Sequence, residues 1–143
     1  MSALMALAMA APAQSQKPYT ILPGSEAKET TKLCSRDGIA KIDGGWQPSD
    51  ADIQTAESHL TQLSQPTSDR QPVQSPANYF RQYVGVVVSG RKLIYLNAIG
   101  PSDMGVGWKT RFVSVCDGGD NFWGAIYDPA TGKFSELHKN GPA

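Results

Sequence analysis

The clearest periodic signal along the chain lies in "QPSDADIQTAESHLTQL", where Ile53, Ala56, Leu60 and Leu63 recur at spacings of three and four. That spacing places one apolar stripe on one face of a helix. Ser49 followed by Asp52 reads as a capping box, Pro48 stands just before it, and Asp50 and Asp52 put negative charge in the first turn. The pattern predicts a helix from about Asp50 to Leu63 with the stripe buried. His59 falls beside the stripe and is expected at the surface or the boundary. The next stretch, Ser64 to Asn78, holds three prolines and few apolar residues. Neither period survives them, which predicts a loop.

The pattern then changes. In "NYFRQYVGVVVSGRKLIYLNAI" two β-branched and aromatic runs flank Ser89-Gly90, as in a hairpin. A bulged turn with Gly90 in the left-handed region pairs Val87 with Arg91. One face then carries Phe80, Gln82, Val84 and Val86 against Ile94, Leu96 and Ala98, suited to a core under the helix. The other carries Tyr79, Arg81, Tyr83 and Gly85 against Leu93, Tyr95, Asn97 and Ile99. A strict two-residue turn would shift the register by one and mix these sets.

Beyond the connection "GPSDMGVG" and Trp108, strands are predicted over Arg111 to Cys116, Phe122 to Tyr127 and Lys133 to Leu137, with "DPATG" as a turn. "CDGGDN" thus falls at the position of a hairpin loop. Gly118-Gly119 permits positive backbone angles there, and Asp117 and Asn121 are placed to bond nearby amides. The expected architecture is α+β, with one main helix packed on an antiparallel sheet of about four to six strands.

Composition sets the context. Leu4 to Ala11 is an uncharged apolar run followed by Ala11-Pro12-Ala13 and the polar Gln14-Ser15-Gln16. This is the pattern of a secretory signal over residues 1–13, without the usual Lys or Arg, and it predicts a periplasmic or secreted domain over 14–143. The run is too short to span a bilayer, and no Cys follows it to take a lipid. Formal net charge is zero and no stretch is strongly basic, which argues against nucleic acid. In an exported chain, the two cysteines are most simply a disulfide, Cys34 to Cys116, worth roughly 4 kcal/mol by loop entropy. They make a poor zinc site, because zinc takes four ligands at characteristic spacings.

Candidate chemistry is sparse. Arg81, Tyr83, Tyr95 and Asn97 would form a polar and aromatic cluster of the residue types that dominate interfaces, although cross-strand tyrosines also stabilise sheets. The Asp117 to Trp123 loop adjoins it, with Asp117, Asp120 and Trp123 as further ligand-binding candidates. Asp117, Asp120, Asn121 and Asp128 offer oxygen ligands, but the stretch departs from the calcium-loop pattern D-x-[DN]-x-[DN]-G-x5-E. No cofactor is implied. The leading expectation is a small binding module for a protein or cell-envelope ligand. The alternatives are an envelope hydrolase using Asp117, Asp120 and His138, which requires a pocket bringing His138 to an acid, or a purely structural domain.

The strings "RQYVGVVVSGRKLIYLNAI" and "VCDGGDNFWGAIYDPATGKFSELHKNG" resemble a group of small exported bacterial proteins that share RQYxGxxxxGxxxIYxN and VCDGGxxFWGxxYDPxTxxFSxxxxNG. "CSR" at Cys34 to Arg36 and W-x-P-S-x-x-D-I from Trp46 to Ile53 are weaker echoes. The group has no assigned activity, so the resemblance implies export and a shared fold and transfers no catalytic residue. "QYVG" also resembles the Q-x-V-x-G hairpin of cystatins. Gly85 stands one residue early, and neither an N-terminal glycine wedge nor a late Pro-Trp hairpin is present, so this likeness bears on general architecture alone.

Overall fold

Six strands and one α-helix make up the computed structural model, which describes residues 17–67 and 71–142; the expected signal segment lies outside the described residues. The strands are β1 (Tyr19–Ile21), β2 (Gly44–Trp46), β3 (Phe80–Val88), β4 (Arg91–Ile99), β5 (Phe122–Asp128) and β6 (Lys133–Lys139), and the helix α1 is Asp50–Ser58. They form one sheet in the order β1-β3-β4-β5-β6. β1 and β2 share the outer edge of β3, β1 running parallel opposite Arg81 to Tyr83 and β2 antiparallel opposite Gly85 to Val87. The α+β class is therefore as expected, but the sheet is mixed because of β1. No helix among the described residues is long and apolar enough to cross a membrane.

The capping box forms as the sequence implies. Asp52 N–H donates to Ser49 Oγ at 3.1 Å, and Ser49 N–H donates to Asp52 Oδ2 at 2.8 Å. The α-helix stops earlier than the stripe suggests, and a tighter 3₁₀ turn over Leu60–Ser64 carries Leu60 and Leu63 into the core. Hydroxyls compete with the helix near that point: Thr55 Oγ1 donates back to Ala51 O at 3.0 Å and Ser58 Oγ to Thr55 O at 2.6 Å.

The hairpin corrects the predicted register. Val88 pairs with Arg91, and the two turn residues, Ser89 and Gly90, have φ of 50° and 76°. That is the two-residue turn with both central residues left-handed, whose twist matches the flanking strands. Phe80, Gln82, Val84 and Val86 consequently share a face with Ile99, Asn97, Tyr95 and Leu93, while Arg81, Tyr83 and Gly85 share the other with Ala98, Leu96 and Ile94. The expected division into one core face and one polar face does not hold, because both faces are covered. Tyr83, Ile94, Leu96, Ala98, Trp123 and Tyr127 pack under α1 and the 3₁₀ turn. On the other side Leu22, Ala27, Ile39, Val84, Val86 and Tyr95 form a second core. A strand buried on both faces loses the alternation from which register is read.

Arg111 to Cys116 is not a strand, a second correction. β5 pairs directly with β4, so the segment crosses the second face of the sheet. Side chains satisfy its backbone in place of a ladder. Gln82 Nε2 donates to Arg111 O at 2.6 Å and also to Trp108 O, Val113 N–H donates to Gln82 Oε1 at 2.9 Å, and Phe112 N–H donates to Glu26 Oε2 at 2.9 Å. "CDGGDN" is accordingly the end of a long connection and not a hairpin loop. Its glycines do take positive φ, 85° at Gly118 and 56° at Gly119. The Cys34–Cys116 disulfide is formed and ties this connection to the N-terminal region.

Candidate functional site

The register shift decides the fate of the predicted cluster. Arg81 and Tyr83 lie on the α1 side, 2% and 0% exposed, and Tyr95 and Asn97 lie on the opposite side, 3% and 1% exposed. They do not form one presented face. Arg81 meets Glu57 of α1 in a two-pronged ion pair, with Nε to Oε2 at 2.7 Å and Nη2 to Oε1 at 2.5 Å, and the Tyr83 hydroxyl donates to the same carboxylate. Arg81 Nη1 also closes on Ala77 O at 2.8 Å and Tyr79 O at 2.6 Å, so its charge serves the core. Burial, with the Glu57 carboxylate adding to it, pushes the Tyr83 hydroxyl well above its ordinary pKa. Trp123 is fully buried in the same core.

Asp117 and Asp120 are exposed and separate. Asp117 Oδ1 accepts from Ser35 Oγ at 3.4 Å, while Asp120 faces Lys139 Nζ at 3.5 Å. No hydrogen bond or ion pair among the described residues joins either to His138. Nor, among those residues, does any group of three or more His, Cys, Asp or Glu side chains converge as a metal site. Asp120 instead borders a polar cavity of about 410 Å³ with Gln71, Gln74, Tyr79 and Lys139.

A different constellation gathers on the second face of the sheet. Gly124 of β5 stands beside Asn97 of β4, and its missing side chain leaves a notch. Arg36, two residues beyond Cys34, lies in that notch: a Cβ at Gly124 would overlap the Tyr95 hydroxyl and come within 3.1 Å of Arg36 Nη2. The guanidinium donates from Nε and Nη2 to the Tyr95 hydroxyl at 3.3 and 3.2 Å, from Nη2 to Asn97 Oδ1 at 2.5 Å, and from Nη1 to Asn140 Oδ1 at 2.8 Å. All three partners are neutral. Asn97 and Asn140 are in turn oriented by backbone carbonyls, of Val113 and of Val115 and Asp117. Burial raises the Tyr95 pKa above its ordinary value, and the Arg36 charge opposes that rise.

Beside this network β6 is bulged. Gly124 pairs with His138 and Ile126 with Ser135, so Glu136 and Leu137 together oppose Ala125. Glu136 takes φ of 52°, a left-handed conformation that is costly for a residue with a side chain. The extra residue keeps Phe134 and Leu137 in the helix-side core and turns Glu136 and His138 toward the Tyr95 side. There they border a cavity of about 300 Å³ with Asp37, Ile39, Tyr95 and Ile126. His138 Nε2 lies 3.2 Å from Glu136 Oε2.

Of the predicted site residues, only Tyr95 reaches this cavity; His138, weighed for catalysis, reaches it with Glu136 as its acid in place of Asp117 or Asp120. Arg36 and Glu136 were not anticipated. A signal for the bulge exists in "KFSELHK", where Phe134 and Leu137 are three apart in a segment that otherwise reads as a strand. The chain matches no family model, no curated protein and no solved structure.

Proposed function

We propose that this protein is an exported binding module whose small ligand seats in the cavity between Ile39, Tyr95, Ile126, Glu136 and His138. The observation that carries this reading is the β6 bulge. Left-handed backbone is costly for a residue with a side chain inside a strand, and here it turns Glu136 and His138 to the rim of a concave, partly apolar space. The Arg36 network supports it, since a floor locked by hydrogen bonds to Tyr95, Asn97 and Asn140 holds the space open without a ligand. The disulfide and the apolar run at Leu4 to Ala11 support export, as does the resemblance to small exported proteins.

The test is a diverse fragment library titrated against the oxidised protein and followed by amide NMR. Fragments that bind should move Ile39, Ile126 and His138 together, and Ala40→Trp, which fills the cavity from its wall, should abolish those shifts while leaving the β3–β4 amides in place. A library in which no fragment moves these residues refutes the reading.

A further inference from the structure

We infer that Asn140-Gly141 is a modification site, an asparagine that converts spontaneously to aspartate or isoaspartate, and that the disulfide-held segment Cys34 to Arg36 keeps it closed. The chemistry needs no enzyme. Once the Gly141 nitrogen has given its proton to water, it bonds to the side-chain carbonyl carbon of Asn140. The bond from that carbon to Nδ2 breaks, the departing nitrogen takes protons and leaves as ammonia, and water opens the cyclic imide to a carboxylate. A glycine after the asparagine allows this most readily, since no side chain restricts the approach of its nitrogen.

The fold opposes each part of that approach. Gly141 N–H donates to Ser35 O at 2.9 Å and Asn140 N–H to Phe122 O at 2.9 Å, so the attacking nitrogen is engaged and the backbone around it is fixed. The Asn140 side chain, in a residue 5% exposed, accepts from Arg36 Nη1 at 2.8 Å, and its Nδ2 donates to Val115 O at 2.9 Å and Asp117 O at 2.8 Å. Arg36 also polarises the Asn140 carbonyl, which favours attack. That polarisation counts only once the nitrogen can reach the carbon, and the bonds to Ser35 and Arg36 prevent it. Both residues follow Cys34 directly, and Asp117, which follows its disulfide partner Cys116, donates its N–H to Ser35 Oγ at 2.6 Å. The two cysteines are exposed, so a dithiol reaches the bond and is oxidised to its own disulfide as Cys34 and Cys116 become thiols. Conversion is one-way. An aspartate at 140 gains a charge partner in Arg36 but turns an oxygen toward the Val115 and Asp117 carbonyls, and an isoaspartate lengthens the backbone, so neither restores the closed arrangement. The site records that the segment has opened.

The test follows the segment holding Asn140 by mass spectrometry during incubation at mildly alkaline pH, with the free peptide ELHKNGPA as reference. In the oxidised protein, conversion should run at least about tenfold slower than in the peptide, the factor set by one hydrogen bond from a charged donor. Reduction by a dithiol, and separately Arg36→Gln in the oxidised protein, should each bring the rate toward that of the peptide. Opening confined to this segment exposes little surface, so the Arg36→Gln rate should be flat in urea below the unfolding transition. Tyr83→Phe, which loosens the opposite core without touching the segment, should leave conversion slow. Conversion of the oxidised protein at the peptide rate would overturn the proposal, as would a slow rate that survives either reduction or Arg36→Gln. So would an Arg36→Gln rate that climbs with urea, or Tyr83→Phe converting as fast as Arg36→Gln, since either result assigns the protection to global stability.

Discussion

Gly124→Ala sets two opposing effects against each other. Glycine inside a strand loses more conformational freedom on folding than alanine, so on entropy alone the substitution should stabilise by about 0.5–1 kcal/mol. Nothing in the Gly124 backbone resists it, since its φ is not among the positive values of this chain. Space resists it. The new methyl would overlap the Tyr95 hydroxyl, lie 2.6 Å from its Cζ and 3.1 Å from Arg36 Nη2. Tyr95 sits on a central strand and cannot retreat, so the ring and the guanidinium must move apart. Overpacking of this kind costs about 1–3 kcal/mol, and each lost hydrogen bond from a charged donor about 1.5–3 kcal/mol. Even with one such bond lost, steric and polar terms outweigh entropy, and a net destabilisation of about 2–4 kcal/mol is expected. In urea, with a slope of about 1–3 kcal/mol per molar, the midpoint should fall by about 1–2 M at unchanged slope. The decisive control is the same substitution in a Tyr95→Leu background, which removes the hydroxyl and Cζ and should return Gly124→Ala to neutral or mildly stabilising. A stabilised single variant, or an equal loss in both backgrounds, would refute the notch as the reason for glycine here.

Two further outcomes follow from burial and from the N-terminal pattern. Tyr83, and to a lesser degree Tyr95, Tyr79 and Tyr127, hold their protons more tightly folded than unfolded, chiefly through burial. The unfolded chain releases phenolic protons near pH 10, so stability is complete below that pH and drains away as pH rises toward the folded-state values. Urea midpoints from about pH 8 to 11 should fall at the alkaline end, with a shallower fall in Tyr83→Phe; a flat profile would contradict the burial of these hydroxyls. Expression of the full 143-residue chain in a Gram-negative host should yield a disulfide-bonded periplasmic form shortened by roughly 13 residues, and an intact cytoplasmic product would count against export.

By itself the sequence determined what depends on neighbours along the chain. Ser49 and Asp52 are three residues apart, so their reciprocal cap forms whatever surrounds it. The β-branched runs around Ser89-Gly90 make a hairpin because turn and strands are one continuous segment. Two cysteines have one simple partner each, and the Cys34–Cys116 bond forms as read. The register, the faces and the site were decided only by tertiary structure. A half-buried strand announces its faces by alternation, but β3 and β4 are covered by α1 on one side and by residues 22–43 and 108–116 on the other, so both faces carry apolar and hydrogen-bonded residues. Arg111 to Cys116 reads as a strand for the same reason. Its composition suits a sheet, yet β4 pairs directly with β5 and the segment lies across the sheet face, where Gln82, Asn97 and Asn140 supply hydrogen bonds in place of a ladder. The cavity needs Asp37, Tyr95, Ile126 and Glu136, which are scattered over some hundred positions. They meet because a disulfide pins one segment, a glycine leaves a notch and a bulge turns a strand, three events with no common sequence period.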